Sequence, residues 1–277
     1  MIFESKLPNI NVPDINLAQF VLDECKSRTQ AHDAVFVDSE TNEAITVEQL
    51  ELFVHGFANG LRKCGINEGD VVATVAGNSE RFVHRLTRPI VVGDGMLDTV
   101  TQALDLLEYP IDHILALDES RTNGPTSIFR MLTNTAPAFT PVDHSSAAYL
   151  CYSSGTTGKP KGVILTHANM IANAMQINGL KQLDIGTRLQ ETYLGLAPFC
   201  HAYGLSYVLH SSVSLGGRII VMRNYSFPLF LRAIEQHRIT FGYVVPPIVC
   251  ALSKDPRVAD YDLSSMHTIL SGGAALT

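Results

Sequence analysis

The 277-residue chain is poor in charge, has no excess of positive charge, and has no paired cysteine motif and no membrane-length apolar run. Charged residues make up 17% and the formal net charge is −7, which argues against nucleic acid or an anionic membrane as the main partner. Five cysteines (Cys25, Cys64, Cys151, Cys200, Cys250) are dispersed, odd in number and free of CxxC spacing, so neither a disulfide framework nor a zinc site is expected. The opening MIFESKLPNI lacks a basic region followed by an apolar one, and no run is long enough to span a bilayer. These absences predict an intracellular chain, in a reducing compartment, without a membrane span. What is present is apolar: 46% hydrophobic residues and enough length to bury a sizeable core, in one large domain or two smaller ones.

Strands and helices alternate along the chain. Asp14 is placed to cap a helix with Leu17, Phe20, Val21 and Leu22 on its buried face, and Ala34–Val37 reads as a short strand. Thr46 and Gln49 form a capping-box pattern before the stripe Leu50, Phe53, Val54, Phe57, Leu61, which stops at Gly65. A strand is expected over Val71–Ala76, a helix around Leu104, Leu106 and Leu107, and a strand from Ile114 to Leu117. Residues 119–146, with three prolines, read as a surface connection. Further on come a helix with Met170, Ile171, Ala174 and Ile177 buried, a strand Tyr193–Ala197, and a glycine turn and strand in Leu215–Met222. A helix capped by Ser226 with Pro228 in its first turn, a strand Ile239–Val245 and a buried strand before Gly272 complete the pattern. The alternation indicates an α/β layered fold.

The most specific stretch is Ala147–Asn169, AAYLCYSSGTTGKPKGVILTHAN, which reads as strand, loop, strand. Gly155 and Gly158 allow the backbone to turn and approach an anion. Ser153, Ser154, Thr156 and Thr157 supply hydroxyls, and Lys159 and Lys161 supply positive charge. This is the chemistry of a polyphosphate cradle. It is not a Walker A loop, because only two residues separate the glycines, Pro160 follows Lys159, and a strand rather than a helix follows.

SSGTTGKPKG, with YLCY before it and VILTHAN after it, resembles the phosphate-binding signature of the acyl-adenylate-forming (AMP-binding) superfamily, in its acyl-CoA synthetase and coumarate:CoA ligase branch. PFCHAYGL (Pro198–Leu205) is similar to that family's LPxFHxYG segment, and LSGGAALT (Leu270–Thr277) to its SGGAPL segment. The resemblance implies layered β-sheets with flanking helices, the large N-terminal domain of the adenylate-forming fold. The implied reaction is ATP-dependent activation of a small carboxylic acid to an acyl-adenylate, then transfer to coenzyme A, with Mg²⁺ assisting at the phosphates.

The match assigns ATP contacts to Ser153, Ser154, Gly155, Thr156, Thr157, Gly158 and Lys161, with Lys159 at the motif's variable position, and acyl or adenylate contacts to His201, Tyr203, Gly272, Gly273 and Ala274. Tyr243–Val249, over the segment similar to the family's VVPP, are specificity candidates, with ordinary core as the equal alternative. Asn78–Val83 runs almost at once into Arg85–Asp94, so a family-relative deletion is expected near residues 83–86. In the family, segments for adenine, Mg²⁺ and ribose and a small domain with the catalytic lysine follow SGGA, and the 277 residues stop before them. The whole chain therefore reads as a partial N-terminal AMP-binding domain, over residues 1–277, impaired in adenylation, with a non-catalytic or vestigial nucleotide-binding fragment as the alternative. By the same resemblance the compartment is cytoplasmic or peroxisomal.

Overall fold

The structure, a computed structural model, describes residues 9–67, 69–75, 90–92, 96–106, 114–116, 126–127, 139, 141–153, 161–185 and 191–276. The chain divides into two compact units, one formed by residues 1–47 with 139–277 and the other by residues 48–138.

The larger unit opens with helix α1, Leu17–Lys26, which buries Leu17, Phe20, Val21 and Leu22 as the apolar spacing predicts. Its cap differs from expectation. Asn16, in an extended conformation (φ −74°, ψ 155°), turns its side-chain oxygen onto the amide of Gln19, whereas the Asp14 carboxylate pairs with His144. The first free amide of the helix, that of Leu17, donates to His167 Nδ1 at 3.1 Å.

Strands β1 (Ala34–Asp38) and β2 (Ala44–Thr46) form a hairpin. In the smaller unit, helix α2 (Val47–Lys63) ends where Gly65, at φ +80°, lets the Gly65 amide reach Arg62 O and the Ile66 amide reach Leu61 O, while Leu61 and Ile66 share one apolar cluster. Strands β3 (Ala73–Val75), β4 (Ile90–Val92), β5 (Ile114–Ala116) and β6 (Thr126–Ser127) form a parallel sheet in chain order, and helix α3 spans Leu97–Leu106. The connection expected over 119–146 thus contains a strand, because two residues pairing with β5 leave no pattern in sequence. The deletion expected near 83–86 lies outside the described residues.

Back in the larger unit, β7 (Ala147–Ser153) and β8 (Lys161–Thr166) form an antiparallel hairpin in which Ser153 is paired with Lys161. Helix α4 (His167–Ile185) buries Met170, Ile171, Ala174 and Ile177 at helical spacing. Next come β9 (Thr192–Gly195), a π-helical segment Gly204–Ser212, β10 (Arg218–Val221), helix α5 (Phe227–His237), β11 (Phe241–Val244), helix α6 (Pro246–Lys254) and β12 (Thr268–Ser271). Ser226 caps α5 by accepting from the Leu229 amide, with proline in the first turn.

The main sheet has the order β12-β11-β9-β10-β1-β2, parallel except for β2. Alternate residues point to opposite faces. Val37, Leu194, Ile220 and Val244 pack on Phe230, Leu231 and Ile234 of α5 and Ile248 of α6. Tyr193, Ile219, Phe241 and Tyr243 occupy the other face, where the π-helical segment packs on β9 and β10 and Lys181 of α4 lies over the rings. β12 is half-exposed rather than buried, because among the described residues it lies at an edge of the sheet.

Candidate functional site

The chain reverses direction across the sheet at β9, since β10 lies on one side of it and β11 on the other. In an open parallel sheet such a reversal leaves a crevice beyond the carboxyl ends of the strands, where connecting loops diverge. The loop that leaves β9 is Leu196–Tyr203, which carries the PFCHAYG motif. Topology therefore places that motif where a ligand crevice forms.

The loop is shaped by its own hydrogen bonds. The His201 amide donates to Pro198 O at 3.0 Å and the Leu205 amide to His201 O at 2.9 Å. The Tyr203 amide donates to His201 Nδ1 at 3.2 Å, which leaves the proton of a neutral imidazole on the exposed Nε2. His201 thus presents a donor suited to an anionic oxygen. Gly204 opens the π-helical segment with no room for a side chain: a Cβ there would lie 2.3 Å from Pro198 O and 2.6 Å from Ala197 O.

Tyr203 reaches across to the strand ends. Its hydroxyl donates to Leu270 O at 2.9 Å, with Val244 O at 3.4 Å, and its ring lies 3.2 Å from where a Cβ on Gly272 would sit. The glycine segment after β12 does lie against a planar ring, and that ring is the protein's own Tyr203. Burial, and secondarily Tyr207, push the Tyr203 phenol up to about 12, so it remains a neutral donor at physiological pH. Gly273, at φ +87°, and Ala274 continue into an exposed turn. Beside them, Ser271 Oγ is buried with no hydrogen-bond partner among the described residues. His201, Tyr203 and Gly272 are thus brought together, with Gly273 and Ala274 next in the chain.

Of the phosphate-loop candidates, Ser153 and Lys161 stand opposite one another at the hairpin end, and Lys161 is exposed. Ser154, Gly155, Thr156, Thr157, Gly158 and Lys159 lie outside the described residues. The hairpin is tied to the π-helical segment by Tyr149 OH and His210 Nε2, 2.8 Å apart. Of the specificity candidates, Val244 belongs to the core against α5, and Tyr243 to the aromatic face below Tyr203. Among the described residues no group of three His, Cys, Asp or Glu side chains is placed to hold a metal ion. No helix among them is long and apolar enough to cross a membrane.

Sequence reading missed Lys181. It lies late in α4 outside every motif, and its ammonium is 4.6, 5.2 and 5.6 Å from the ring centroids of Tyr193, Tyr243 and Phe241 and donates to Ser211 Oγ at 2.9 Å. Burial lowers its pKa to about 7, a shift only partly offset by the Glu191 carboxylate. The unfolded chain holds that proton up to an ordinary lysine pKa near 10.4, so between about pH 7 and 10 it binds more protons and stability rises with pH. Replacing Lys181 with methionine is expected to raise the urea midpoint at pH 7 and flatten its rise toward pH 9, measured by fluorescence or circular dichroism. A midpoint lowered at both pH values would show that the charged form stabilises the fold.

A family model described as AMP-binding enzyme matches residues 96–277. The chain is 30% identical over 306 residues to 4-coumarate–CoA ligase 3 of Arabidopsis thaliana, covering 99% of this chain and 54% of that protein. It is 28% identical to 4-coumarate–CoA ligase 2 of Petroselinum crispum, covering 100% of this chain and 56% of that one. Among solved structures it superposes on a red-emitting luciferase from Phrixothrix hirtus with TM-score 0.82 at 23% identity, over 97% of this chain and 58% of the luciferase. An anthranilate CoA ligase, AuaEII, solved with anthranoyl-AMP, gives TM-score 0.83 at 19% identity, over 95% and 56%. The chain spans about half the length of the relatives it matches. Their large N-terminal domain is the fold seen here.

Proposed function

From the premise that the chain belongs to the AMP-binding enzyme family, we propose that it carries the acid- and adenylate-binding part of an acid:CoA ligase. In that activity a carboxylate attacks the α-phosphorus of ATP, releasing pyrophosphate, and the thiol of coenzyme A then displaces AMP. The observation that carries the reading is the crevice at the carboxyl end of β9 and β11, where Gly272 leaves flat backbone against Tyr203 and His201 offers an outward N–H. Tyr203 forms one wall for the acyl group. The partnerless Ser271 hydroxyl and the His201 Nε2–H are donors for the oxygens of an acyl-adenylate. The exposed Lys161, at the end of the hairpin, is placed to meet polyphosphate, together with the loop donors from Ser153 to Lys159. Mg²⁺ belongs to this reading as a partner of the ATP phosphates.

The alignment with the Arabidopsis relative runs over 306 residues against the 277 of this chain, as it would if that relative carried residues this chain lacks; our reading puts them near residues 83–86 on the sequence pattern alone. Joined to the C-terminal half of such a relative, the chain is expected to catalyse acid-dependent exchange of pyrophosphate into ATP. A direct test uses the 277 residues alone: calorimetric titration with a non-hydrolysable acyl-sulfamoyl-adenosine. Saturable binding in the micromolar range is expected, and the absence of binding across aryl and alkyl mimics overturns the reading.

A further inference from the structure

The hairpin that ends in Ser153 and Lys161 pairs with no other strand among the described residues, and on one of its faces Leu150, Tyr152 and Ile164 are exposed. Two strands alone are marginal in water, so the place of the hairpin depends on what grips it. One grip is the Tyr149 hydroxyl on His210, and a second lies at the open end. There His144 precedes β7 and His167 follows β8, with the Ala168 amide donating to His144 O at 2.8 Å and the His167 amide to Ser146 O at 3.2 Å. Both histidines reach the start of α1: His144 pairs with Asp14, and His167 Nδ1 accepts from the Leu17 amide.

These two contacts differ in strength and in what they require. The Asp14 and His144 side chains are 77% and 40% exposed, and an ion pair so open to water contributes little. Leu17 is 3% exposed, and its amide is one of the four that a helix start leaves without an intrahelical acceptor. Asn16 serves the Gln19 amide, and His167 serves that of Leu17. Losing that acceptor leaves a donor unsatisfied where water is excluded.

The first turn of α4, where His167 stands, is fixed by a reciprocal cap: the Asn169 amide donates to Thr166 Oγ1 at 3.1 Å and the Thr166 amide to Asn169 Oδ1 at 3.2 Å. Because Nδ1 is the acceptor, the bond to Leu17 exists only while that nitrogen carries no proton. An imidazolium would also set positive charge against the N-terminal ends of α1 and α4, where the helix dipoles are positive. Of the charged groups on these elements, Asp14 is engaged by His144 and Asp143 by the Ser145 amide. Asp23, Glu24 and Lys26 stand at the far end of α1, Lys181 late in α4 and Lys161 at the far end of the hairpin.

We propose that His167, unprotonated, is a positioning residue for the phosphate hairpin: by accepting from the Leu17 amide it braces the base of β7 and β8 against α1 and so holds Lys161 and the loop where polyphosphate is met. The inference rests on the reading of that loop as a phosphate site. The brace is present above the ordinary histidine range, about 6.5, and is released as pH falls below it. The Asp14 contact does not report the same event, since a proton on His144 keeps rather than breaks that pair.

The test measures affinity for ATP with Mg²⁺ by calorimetry, and amide hydrogen exchange by mass spectrometry, on the full 277-residue chain at about pH 5.5 and about pH 8. The proteins are the unaltered chain, His167→Asn and His167→Leu. The Asn side chain offers an oxygen acceptor in the place of Nδ1 and does not titrate, so His167→Asn retains the brace at both pH values. Protonation of ATP is common to all three, so they are compared at one pH. At the higher pH His167→Asn is expected to bind within about twofold of the unaltered chain, and His167→Leu at least about fivefold more weakly. At the lower pH the unaltered chain is expected to bind at least about fivefold more weakly than His167→Asn and to exchange faster between residues 144 and 167. Equal affinity of the unaltered chain and His167→Asn at the lower pH overturns the proposal and leaves the phosphate reading in place, whether or not His167→Leu folds. So does His167→Asn binding as weakly as His167→Leu at the higher pH. No binding of ATP by the unaltered chain at the higher pH overturns the phosphate reading, and the proposal with it.

Discussion

Gly204→Ala is expected to lose at least about 3 kcal/mol of stability and, with it, binding at the crevice. The new Cβ lies 2.3 Å from Pro198 O, 2.6 Å from Ala197 O and 2.7 Å from Pro198 C, and all three are backbone atoms. No rotamer change relieves such a clash. The backbone from Ala197 to Gly204 must move, and that segment positions His201 and Tyr203, whose amides donate hydrogen bonds to Pro198 O and His201 Nδ1. A marginally stable domain has only about 5–15 kcal/mol to lose, so the urea midpoint should fall sharply. Gly162→Ala is the matched control: its Cβ meets Tyr152 at 3.6 Å, an ordinary contact, and a change within about 0.5 kcal/mol is expected. Equal midpoints for the two variants would mean that the β9 loop yields freely.

Asp38→Ala is expected to lose roughly 1–3 kcal/mol. Asp38 ends β1, its side chain is 2% exposed, and it accepts from Arg223 Nε at 2.6 Å and from the amides of Glu40 and Thr41 at 2.9 and 2.8 Å. Removing the carboxylate leaves the Arg223 Nε and the Glu40 and Thr41 amides without that acceptor. The same contacts set a pH dependence. Burial raises the Asp38 pKa, but the Thr41 and Glu40 amides and Arg223 outweigh it, and the net shift is downward. A carboxyl with a depressed folded pKa contributes stability that is present above its unfolded value near 4 and is lost as pH falls through the folded value. The stability gap between the unaltered chain and Asp38→Asn should therefore be widest above pH 4 and narrow toward pH 2, as read from urea midpoints. A gap independent of pH would assign the effect to packing.

Elements with local patterns were legible from sequence. Met170, Ile171, Ala174 and Ile177 recur at helical spacing and are the buried residues of α4, and Ser226 with Pro228 marks the start of α5. The hairpin around the glycine-rich loop was equally plain, because β-prone runs flank it on both sides. Two local readings were displaced. Asp14 and Asn16 are both capping residues, and only the backbone angle at Asn16 decides which one turns onto the helix. Thr126–Ser127 is a strand because β5 offers it an edge, and two residues carry no periodicity of their own.

The sequence by itself determined the family, through the order of three short motifs, and named the residues His201, Tyr203 and Gly272. It did so because such motifs record local chemistry: hydroxyls, lysines and glycines at fixed spacing. Only the tertiary structure decided that Tyr203 rests on Gly272, 69 residues away, and that Lys181 faces rings rather than water. Both facts follow from the strand order. With β10 and β11 on opposite sides of β9, the loop after β9 is carried over the end of β12, and α4 covers the Tyr193–Tyr243 face. Side-chain alternation along one strand is written in sequence, whereas the identity of the strand beside it is not.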